Sequence, residues 1–174
     1  MNELELLRVY IESAEPSINR ELREGYSPNA ALFDTLFVEG EIPDILYRLI
    51  PNENVHIIQD NTICDPAYLS CTNDVENYIG RINSEHLACI KIATTSPMHR
   101  IIVNHFFPNH NEEGEIILPR NLRLRITNHQ IFEGVGSFAH FIEIVDSEER
   151  PETLSQIYHY SSIHLYEVEL ATVE

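Results

Sequence analysis

The sequence predicts an α+β fold in which helices come first and strands follow. Apolar residues recur at helical spacing over the first forty positions, and after about residue 44 the period changes to short apolar runs. The hydrophobic fraction of 43% is enough for a core. A length of 174 residues suits one domain, which we expect to divide into a helical part over 1–43 and a mainly β core over 44–174.

Three helices are predicted in the N-terminal part. The first carries apolar residues at roughly helical spacing, and Glu15-Pro16-Ser17 interrupts it. The second is short and ends at Gly25, whereas the third has Pro28 in its first turn and extends through Phe37. The residues that define the first two helices are Leu4, Leu7, Val9, Tyr10, Ile11, Ile18 and Leu22.

The rest of the chain is predicted to be mostly strands. An apolar run over 45–50 is closed by Pro51, Asp60-Asn61 signals a turn, and Asn73-Asp74 is expected to cap a helix carrying Val75, Tyr78 and Ile82. Residues 146–156 are polar and predict a loop. Further strands are expected near residues 86–94, 100–106, 115–119, 122–128, 138–145 and 163–170.

The chain is strongly acidic. It has 28 Asp and Glu against 11 Lys and Arg, a formal charge of −17, and Lys91 is its single lysine. Nucleic acids and anionic membranes are therefore not expected as partners, because both need a basic protein surface. The charge lies mainly at the ends: residues 1–60 and 129–174 each carry −8, whereas residues 61–128 carry −1.

Several common site types lack their sequence signals. The three cysteines, Cys64, Cys71 and Cys89, are odd in number and form no CxxC pair, so we expect free thiols. The nine histidines match no zinc spacing, no metal is expected, and no glycine-rich phosphate loop is present. Neither a signal peptide nor a membrane-spanning segment is predicted, so a soluble protein is expected, and any export would use a non-classical route or processing from a longer chain.

Three polar motifs stand out in a fixed order. Arg48 interrupts the apolar run at 45–50, where it is costly unless it forms a salt bridge or binds an anion such as phosphate. Ser70 and Thr72 flank one small residue before the predicted helix and suit either helix capping or a site. Glu113 and Glu115 precede an apolar strand, so they form either an acidic loop or a pair of carboxylates on one side of the strand.

Taken together, the ordered motifs resemble the arginine, serine, glutamate signature of the mono-ADP-ribosyltransferases, in their bacterial exoenzyme-toxin branch. The similarity runs from about residue 8 to 128, with a looser match at 164–170. It implies helices followed by a two-sheet β core with a central NAD cleft, NAD as the substrate, and release of nicotinamide. The segments that carry it are Ser17-Ile18-Asn19-Arg20-Glu21-Leu22-Arg23, Asp65-Pro66-Ala67-Tyr68-Leu69-Ser70 and Gly114-Glu115-Ile116-Ile117-Leu118-Pro119-Arg120.

The resemblance also implies roles for the motif residues. Arg48 would hold an NAD phosphate, Ser70 would orient the catalytic glutamate and Thr72 would support that strand edge. Glu115 would be the catalytic carboxylate, which stabilises an oxocarbenium-like transition state as the glycosidic bond breaks. Glu113 would direct transfer to arginine side chains of a protein, because a guanidinium has a pKa above ~12 and needs help to lose its proton.

Further positions follow from the same resemblance. Tyr78 and Arg81 would contact the nicotinamide and a phosphate. Residues 104–113 would form a target-recognition loop in which Phe106 and Phe107 either touch the target or pack in the core. The chain departs from the family where Leu49 stands in place of the usual Gly after the arginine, beside the nicotinamide pocket. It also has Cys71 and Thr72 where Thr and Ser are commoner.

Three functions remain open on the sequence. The first is an arginine-specific ADP-ribosyltransferase acting on a protein target, as a toxin or effector. The second is an NAD glycohydrolase that uses water as the acceptor at the same site. The third is a catalytically weak NAD-binding relative, which the Leu49 departure suggests. Transfer to a nucleic acid is disfavoured by the negative charge.

Overall fold

The computed structural model describes residues 1–13, 16–55, 57–58, 61–108 and 114–171. Its first part contains the helices α1 (Glu3–Ile11), α2 (Ser17–Arg23) and α3 (Ala30–Asp34). The Asn2 side chain caps α1 by accepting a hydrogen bond from the Glu5 amide at 2.9 Å. The third helix ends at Asp34, earlier than the sequence pattern predicts.

The remaining described residues form ten strands and three further helices. Two 3₁₀ turns lie at Asn52–Asn54 and Val75–Asn77. The later helices are α4 (Val103–Phe106), α5 (Val135–Ile144) and α6 (Pro151–Ile157). The strands are β1 (Val38–Gly40), β2 (Ile45–Pro51), β3 (Ile57–Ile58), β4 (Thr62–Cys64), β5 (Leu69–Thr72), β6 (His86–Ala93), β7 (Met98–Ile102), β8 (Glu115–Leu118), β9 (Arg123–Phe132) and β10 (Ser162–Leu170).

The strands are hydrogen-bonded in the order β1-β7-β8-β5-β2-β6-β10-β9-β4-β3, which makes a mixed sheet. Strands β6 and β10 pair in parallel, and the other pairs within the described residues are antiparallel. The link between β2 and β5 is narrow, because it consists of the single pair Tyr47 and Thr72. The predicted two-sheet core is thus not confirmed as two separate sheets. The strands form one continuous hydrogen-bonded order, and its narrowest connection is this single pair.

The core divides into three clusters of buried side chains. One lies under the N-terminal helices, one lies under α5 and α6, and the third consists mainly of strand residues. The N-terminal helices bury Leu7, Tyr10 and Phe33 against Tyr68 and Ile117. Helices α5 and α6 cover a second cluster that includes Leu49, Phe141 and Ile157. The third lies among the strands and includes Leu46, Cys71, Ile90 and Leu118. The N-terminal helices and the pair α5 and α6 therefore pack against different stretches of the sheet.

Two predictions for the C-terminal third are wrong. Residues 138–145 form helix α5 instead of a strand, because Phe138, Phe141, Ile142 and Val145 are buried at the helical spacing i, i+3, i+4, i+7. Their aromatic and β-branched character favours a strand locally, and tertiary packing overrides it. The predicted loop over 146–156 ends at Arg150, since α6 starts with Pro151 and buries Thr153 and Ile157.

Two elements nearer the candidate site also differ from the prediction. The strand expected over 100–106 ends at Ile102, and the chain turns there into α4. Asp74 does cap the next segment, since its side chain accepts a hydrogen bond from the Glu76 amide at 3.1 Å. That segment is only the 3₁₀ turn Val75–Asn77, and Gly80 with a φ of +109° leads the chain away. Tyr78 and Arg81 consequently do not share a helix.

Among the helices described, none is both long enough and apolar enough to span a bilayer.

Candidate active site

Arg48 lies in the middle of β2 and reaches toward the neighbouring strand. Its Nη1 donates a hydrogen bond to the carbonyl oxygen of Ser70 at 3.2 Å. Of the carboxylates in the described residues, none lies within 4.0 Å of the guanidinium, so the structural salt bridge considered from the sequence has no partner there. A small cavity with mainly apolar walls lies beside it, and its other polar lining includes Asn54 and Asp65. The pKa of the Asp65 carboxyl is lowered: burial acts to raise it, and hydrogen bonds from Arg23 and the Ala67 amide together with the nearby Arg48 charge lower it.

Ser70 and Thr72 lie on β5, two residues apart and therefore on the same face of the strand. The half-buried Ser70 hydroxyl lies 2.8 Å from the hydroxyl of Tyr10 on α1. Thr72 is buried, and its Oγ1 accepts a hydrogen bond from the Asp74 amide at 2.9 Å. Thr72 therefore closes the turn after the strand, which is the capping interpretation. Ser70 instead makes a long-range contact.

Glu115 is the first residue of β8 and pairs directly with Thr72 across the ladder, while Ser70 pairs with Ile117. All three polar residues thus lie on one face, with Thr72 the nearer neighbour of Glu115. The hydrogen bond expected between Ser70 and Glu115 is not formed. Within the described residues the Glu115 carboxylate has no hydrogen-bonding or ionic partner.

Gly114, directly before Glu115, adopts a φ of +56°, a conformation that favours glycine. A Cβ atom there would lie 2.3 Å from Oδ1 of Asn73. A side chain at position 114 would therefore require the exposed Asn73 side chain to move.

Burial dominates the electrostatics of Glu115. It raises the pKa of the carboxyl from its ordinary value of 4.5 to about 7, because the charged form is poorly solvated. The Glu115 charge in turn raises the pKa of Tyr78, after the larger effect of burial. Burial likewise raises the pKa of Cys71 to about 12, with Arg48 acting in the opposite direction. A buried carboxyl that titrates near neutral pH is typical of catalytic sites, although Glu115 does not line the cavity beside Arg48.

Tyr78, Arg81 and Leu49 lie at the cluster covered by α5 and α6, and of the three Tyr78 interacts electrostatically with Glu115. The Arg81 guanidinium carbon lies 5.3 Å from the centre of the Tyr78 ring, a cation–π distance. Tyr78 packs against the cluster covered by α5 and α6, and Leu49 is buried in that cluster with 9% of its surface exposed. The Leu49 side chain therefore points into the core.

Two residues at the site were not predicted as functional. Asn19 is 5% exposed, and its Nδ2 donates to the Tyr10 hydroxyl and to the Tyr68 carbonyl, each at 3.2 Å. Its Oδ1 accepts from the Tyr68 amide at 3.0 Å. The sequence signal was its place in the segment 17–23, which carries the family resemblance, but no role was assigned to Asn19 there. Tyr10 was assigned to the core, and its hydroxyl contact depends on the tertiary fold.

The predicted recognition loop is described in part. Residues 109–113, which include Glu113, lie outside the described residues. Residues 103–106 form α4, and Phe106 and Phe107 pack partly buried against the N-terminal cluster. The Arg8 guanidinium lies 5.4 Å from the Phe107 ring centre, which agrees with the core-packing alternative. Across the described part of the chain, no three His, Cys, Asp or Glu side chains are grouped to hold a metal ion.

Comparison with known proteins identifies the fold. Neither a protein-family model nor a curated protein matches the chain. Solved structures do. The Salmonella SpvB ATR domain is 14% identical with a TM-score of 0.65, covering 98% of each chain. Plx2a, an ADP-ribosyltransferase toxin from Paenibacillus larvae, is 17% identical with a TM-score of 0.58, covering 98% of this chain and 86% of that one.

A third solved structure adds a nucleotide. BECa, an ADP-ribosylating toxin of C. perfringens solved with NADH, is 14% identical with a TM-score of 0.55, and the match covers 98% of this chain and 43% of BECa. At these identities the comparisons concern architecture. The chain has the fold of bacterial ADP-ribosyltransferase toxins, as the ordered arginine, serine and glutamate motifs predicted.

Proposed function

We propose that this chain is an NAD-dependent mono-ADP-ribosyltransferase that transfers ADP-ribose to arginine side chains of a protein target and releases nicotinamide. The observation that carries the proposal is the placement of Glu115. It is a largely buried carboxylate without a partner among the described residues, on one face of the sheet with Ser70 and Thr72. The fold shared with ADP-ribosylating toxins supports this reaction class, and the BECa structure with NADH supports NAD as the ligand.

In this proposal Glu115 supplies negative charge where the reaction develops positive charge. The bond between the ribose C1′ and the nicotinamide nitrogen breaks, and its electron pair leaves with nicotinamide. The ribose then resembles an oxocarbenium ion, which a nearby carboxylate stabilises. Burial strengthens this interaction, because few water molecules screen it. Arg48, which makes no direct ion pair with a carboxylate of the described residues, would bind an NAD phosphate through its guanidinium fork.

The remaining predicted residues have supporting roles. Tyr78, whose pKa is raised by burial and further by the Glu115 charge, would contact the nicotinamide ring. Arg81 would bind a phosphate. Leu49 would contribute through its main chain, since its side chain is buried. Thr72 would hold the end of β5 in place. Glu113 would accept the proton that the target arginine loses when its nitrogen attacks C1′.

The same neighbours suggest the biological setting. A role as a toxin or effector is proposed by analogy with Plx2a and BECa. We also propose that residues 1–174 act as a single catalytic domain.

The test is incubation with NAD labelled in its adenylate part and with arginine-bearing proteins, following both nicotinamide release and protein labelling. The proposal expects both signals, and Glu115→Gln should lower both by at least about 100-fold. Glu113→Gln should remove protein labelling and retain nicotinamide release. The matched control is Glu143→Gln, on an exposed face of α5, which should behave like the unmodified chain.

The outcomes separate the alternatives. Nicotinamide release without labelling of any protein, unaffected by Glu113→Gln, would instead support an NAD glycohydrolase. No nicotinamide release, together with NAD binding by calorimetry, would support a catalytically weak relative. Full activity of Glu115→Gln would contradict all three readings of the site.

A further inference from the structure

A buried chain of hydrogen bonds connects the N-terminal helices to the proposed catalytic strand. It begins at the Tyr68 main chain, passes through the Asn19 amide and the Tyr10 hydroxyl, and ends at the Ser70 hydroxyl. Tyr10 is held by its ring as well, which stacks on Phe33 at 5.2 Å between centroids. Tyr10, Asn19 and Tyr68 are buried, whereas Ser70 is half-buried at the outer end.

The direction of donation along this chain is determined by its first member. The Tyr68 main-chain amide can only donate, so the Asn19 atom that it contacts at 3.0 Å is the oxygen. The other Asn19 atom is therefore the NH₂ group, which donates to the Tyr10 oxygen at 3.2 Å. The amide orientation thus follows from an unambiguous partner.

The Tyr10 proton then has two acceptors within reach. The Ser70 oxygen is 2.8 Å away, which is the ordinary length of an O–H···O bond, whereas the Tyr68 carbonyl is 3.5 Å away and already accepts from Asn19. The Tyr10 hydroxyl proton therefore lies in the shorter hydrogen bond, toward the Ser70 oxygen. Tyr10 consequently donates to Ser70, and the Ser70 hydroxyl keeps its own proton for another acceptor.

We infer that Tyr10 and Asn19 are positioning residues that make Ser70 a hydrogen-bond donor on the Glu115 face of the sheet. The acceptor class is a carboxylate or carbonyl oxygen, and Glu115 lies on this face two ladder positions from Ser70, opposite Thr72. Arg48 holds the Ser70 main chain from the other side through the carbonyl oxygen. This inference rests on the proposed function, because it assigns how the proposed catalytic carboxylate is oriented.

The central experiment is a double-mutant cycle on Tyr10→Phe and Ser70→Ala, measuring nicotinamide release from NAD. Tyr10→Phe keeps the ring and removes one hydroxyl. It should lower kcat by about ten-fold, with KM for NAD changed less than about two-fold, because the hydrogen bond acts on orientation. In the Ser70→Ala background, Tyr10→Phe should have almost no further effect, since its acceptor is gone.

The matched control is Tyr160→Phe. Tyr160 is also buried, and its hydroxyl donates to the Ile82 carbonyl at 2.9 Å, away from Ser70. It should lose a similar amount of stability and retain kcat. A direction test is Asn19→Asp, which replaces the donor by an acceptor, so that Tyr10 donates to Asp and Ser70 donates inward to Tyr10. This variant should lose as much kcat as Ser70→Ala. If the Asn19→Asp variant does not fold, the kcat of Tyr10→Phe tests the inference.

A readout independent of catalysis distinguishes this inference from the proposed function. The same cycle, measured by urea unfolding, should show a coupling of about five-fold in the unfolding equilibrium constant. If the unmodified chain releases no nicotinamide, the proposed function fails and the unfolding cycle alone decides whether the chain of hydrogen bonds exists. Additive effects in the unfolding cycle, or a Tyr10→Phe variant with unchanged kcat in an active enzyme, would overturn the inference.

Discussion

The guanidinium of Arg48 donates a hydrogen bond to the carbonyl oxygen of Ser70 at 3.2 Å, across the narrowest link of the sheet. There β2 and β5 pair only through Tyr47 and Thr72. The Arg48 side chain therefore adds a hydrogen bond between β2 and β5, where neighbouring strands elsewhere in the sheet are joined by more main-chain pairs. The residue proposed to bind the NAD phosphate also connects the strand of Ser70 to the strand at the centre of the fold.

Arg48→Ala should accordingly affect both stability and NAD binding. We expect the free energy of unfolding to fall by about 1–3 kcal/mol through the lost hydrogen bond, and the affinity for NAD to fall at least about ten-fold. Arg48→Lys should recover part of the affinity, since it keeps the charge and loses the fork.

Urea unfolding and calorimetry with NAD would measure these two effects. Arg100→Ala is the control, because Arg100 also donates to main-chain carbonyl oxygens, those of Glu41 at 2.8 Å and Val38 at 3.1 Å, at the edge of the sheet. Its NAD affinity should not change. Unchanged affinity in Arg48→Ala would remove the phosphate role.

Glu115→Gln should stabilise the protein in a pH-dependent way. Folding raises the pKa of Glu115 from 4.5 to about 7, so the folded state binds more protons between these values. The stability of the unmodified chain thus decreases as pH rises from about 4.5 through 7. Because Gln carries no charge, the variant should be more stable than the parent by about 1–3 kcal/mol at pH 8, and by clearly less at pH 5. Urea unfolding at both pH values would measure the stability difference between the variant and the parent. The same difference at pH 5 and at pH 8 would contradict a buried ionised carboxylate.

The pH dependence of nicotinamide release should follow the same group. The proposed mechanism needs Glu115 as the carboxylate, so kcat/KM should rise about ten-fold per pH unit below its pKa of about 7 and become level above it. Rate measurements from pH 5 to 9, over which the fold is checked by circular dichroism, would test this. A profile that is flat from pH 5 to 8 would show that Glu115 does not act in its charged form.

Gly114→Ala should destabilise the chain and slow catalysis. The backbone φ of +56° strains any residue with a Cβ, and that Cβ would lie 2.3 Å from Asn73 Oδ1. We expect a loss of about 1–2 kcal/mol in the free energy of unfolding and a larger relative loss of activity, since Glu115 follows directly.

Gly136→Ala is the matched control for this substitution. Gly136 lies inside α5 with open space around it, so Ala should stabilise the chain by up to about 1 kcal/mol. Thermal unfolding of both variants would compare them. A Gly114→Ala variant as stable as the parent would indicate that the close approach to Asn73 is not required.

Local pattern was sufficient for the strands that carry the site. The apolar run around Arg48, and the Glu115 strand that follows a glycine, lie where the short apolar runs predicted them, at β2 and β8. Both are short runs with a clear break at one end, and such breaks are visible in a single sequence. The order of the polar motifs was likewise enough to predict the ADP-ribosyltransferase fold.

Elements whose conformation depends on distant packing were not predictable in this way. The segment from Phe138 to Val145 has the composition of a strand, and it becomes α5 because one helical face finds a core to cover. The segment after Asp74 has a helix cap and only one 3₁₀ turn behind it, since Gly80 turns the chain away.

The sequence by itself determined which chemical groups are present, that is, an arginine inside a strand, a serine before a turn and a glutamate at a strand start. Only the tertiary structure decided their relationships. Register placed Thr72 opposite Glu115, burial raised the pKa of that carboxyl, and helix docking brought Tyr10 and Asn19 to Ser70. The physical reason is that strand propensity and period are local, whereas register, desolvation and hydrogen bonds between residues 60 positions apart exist only once the chain has packed.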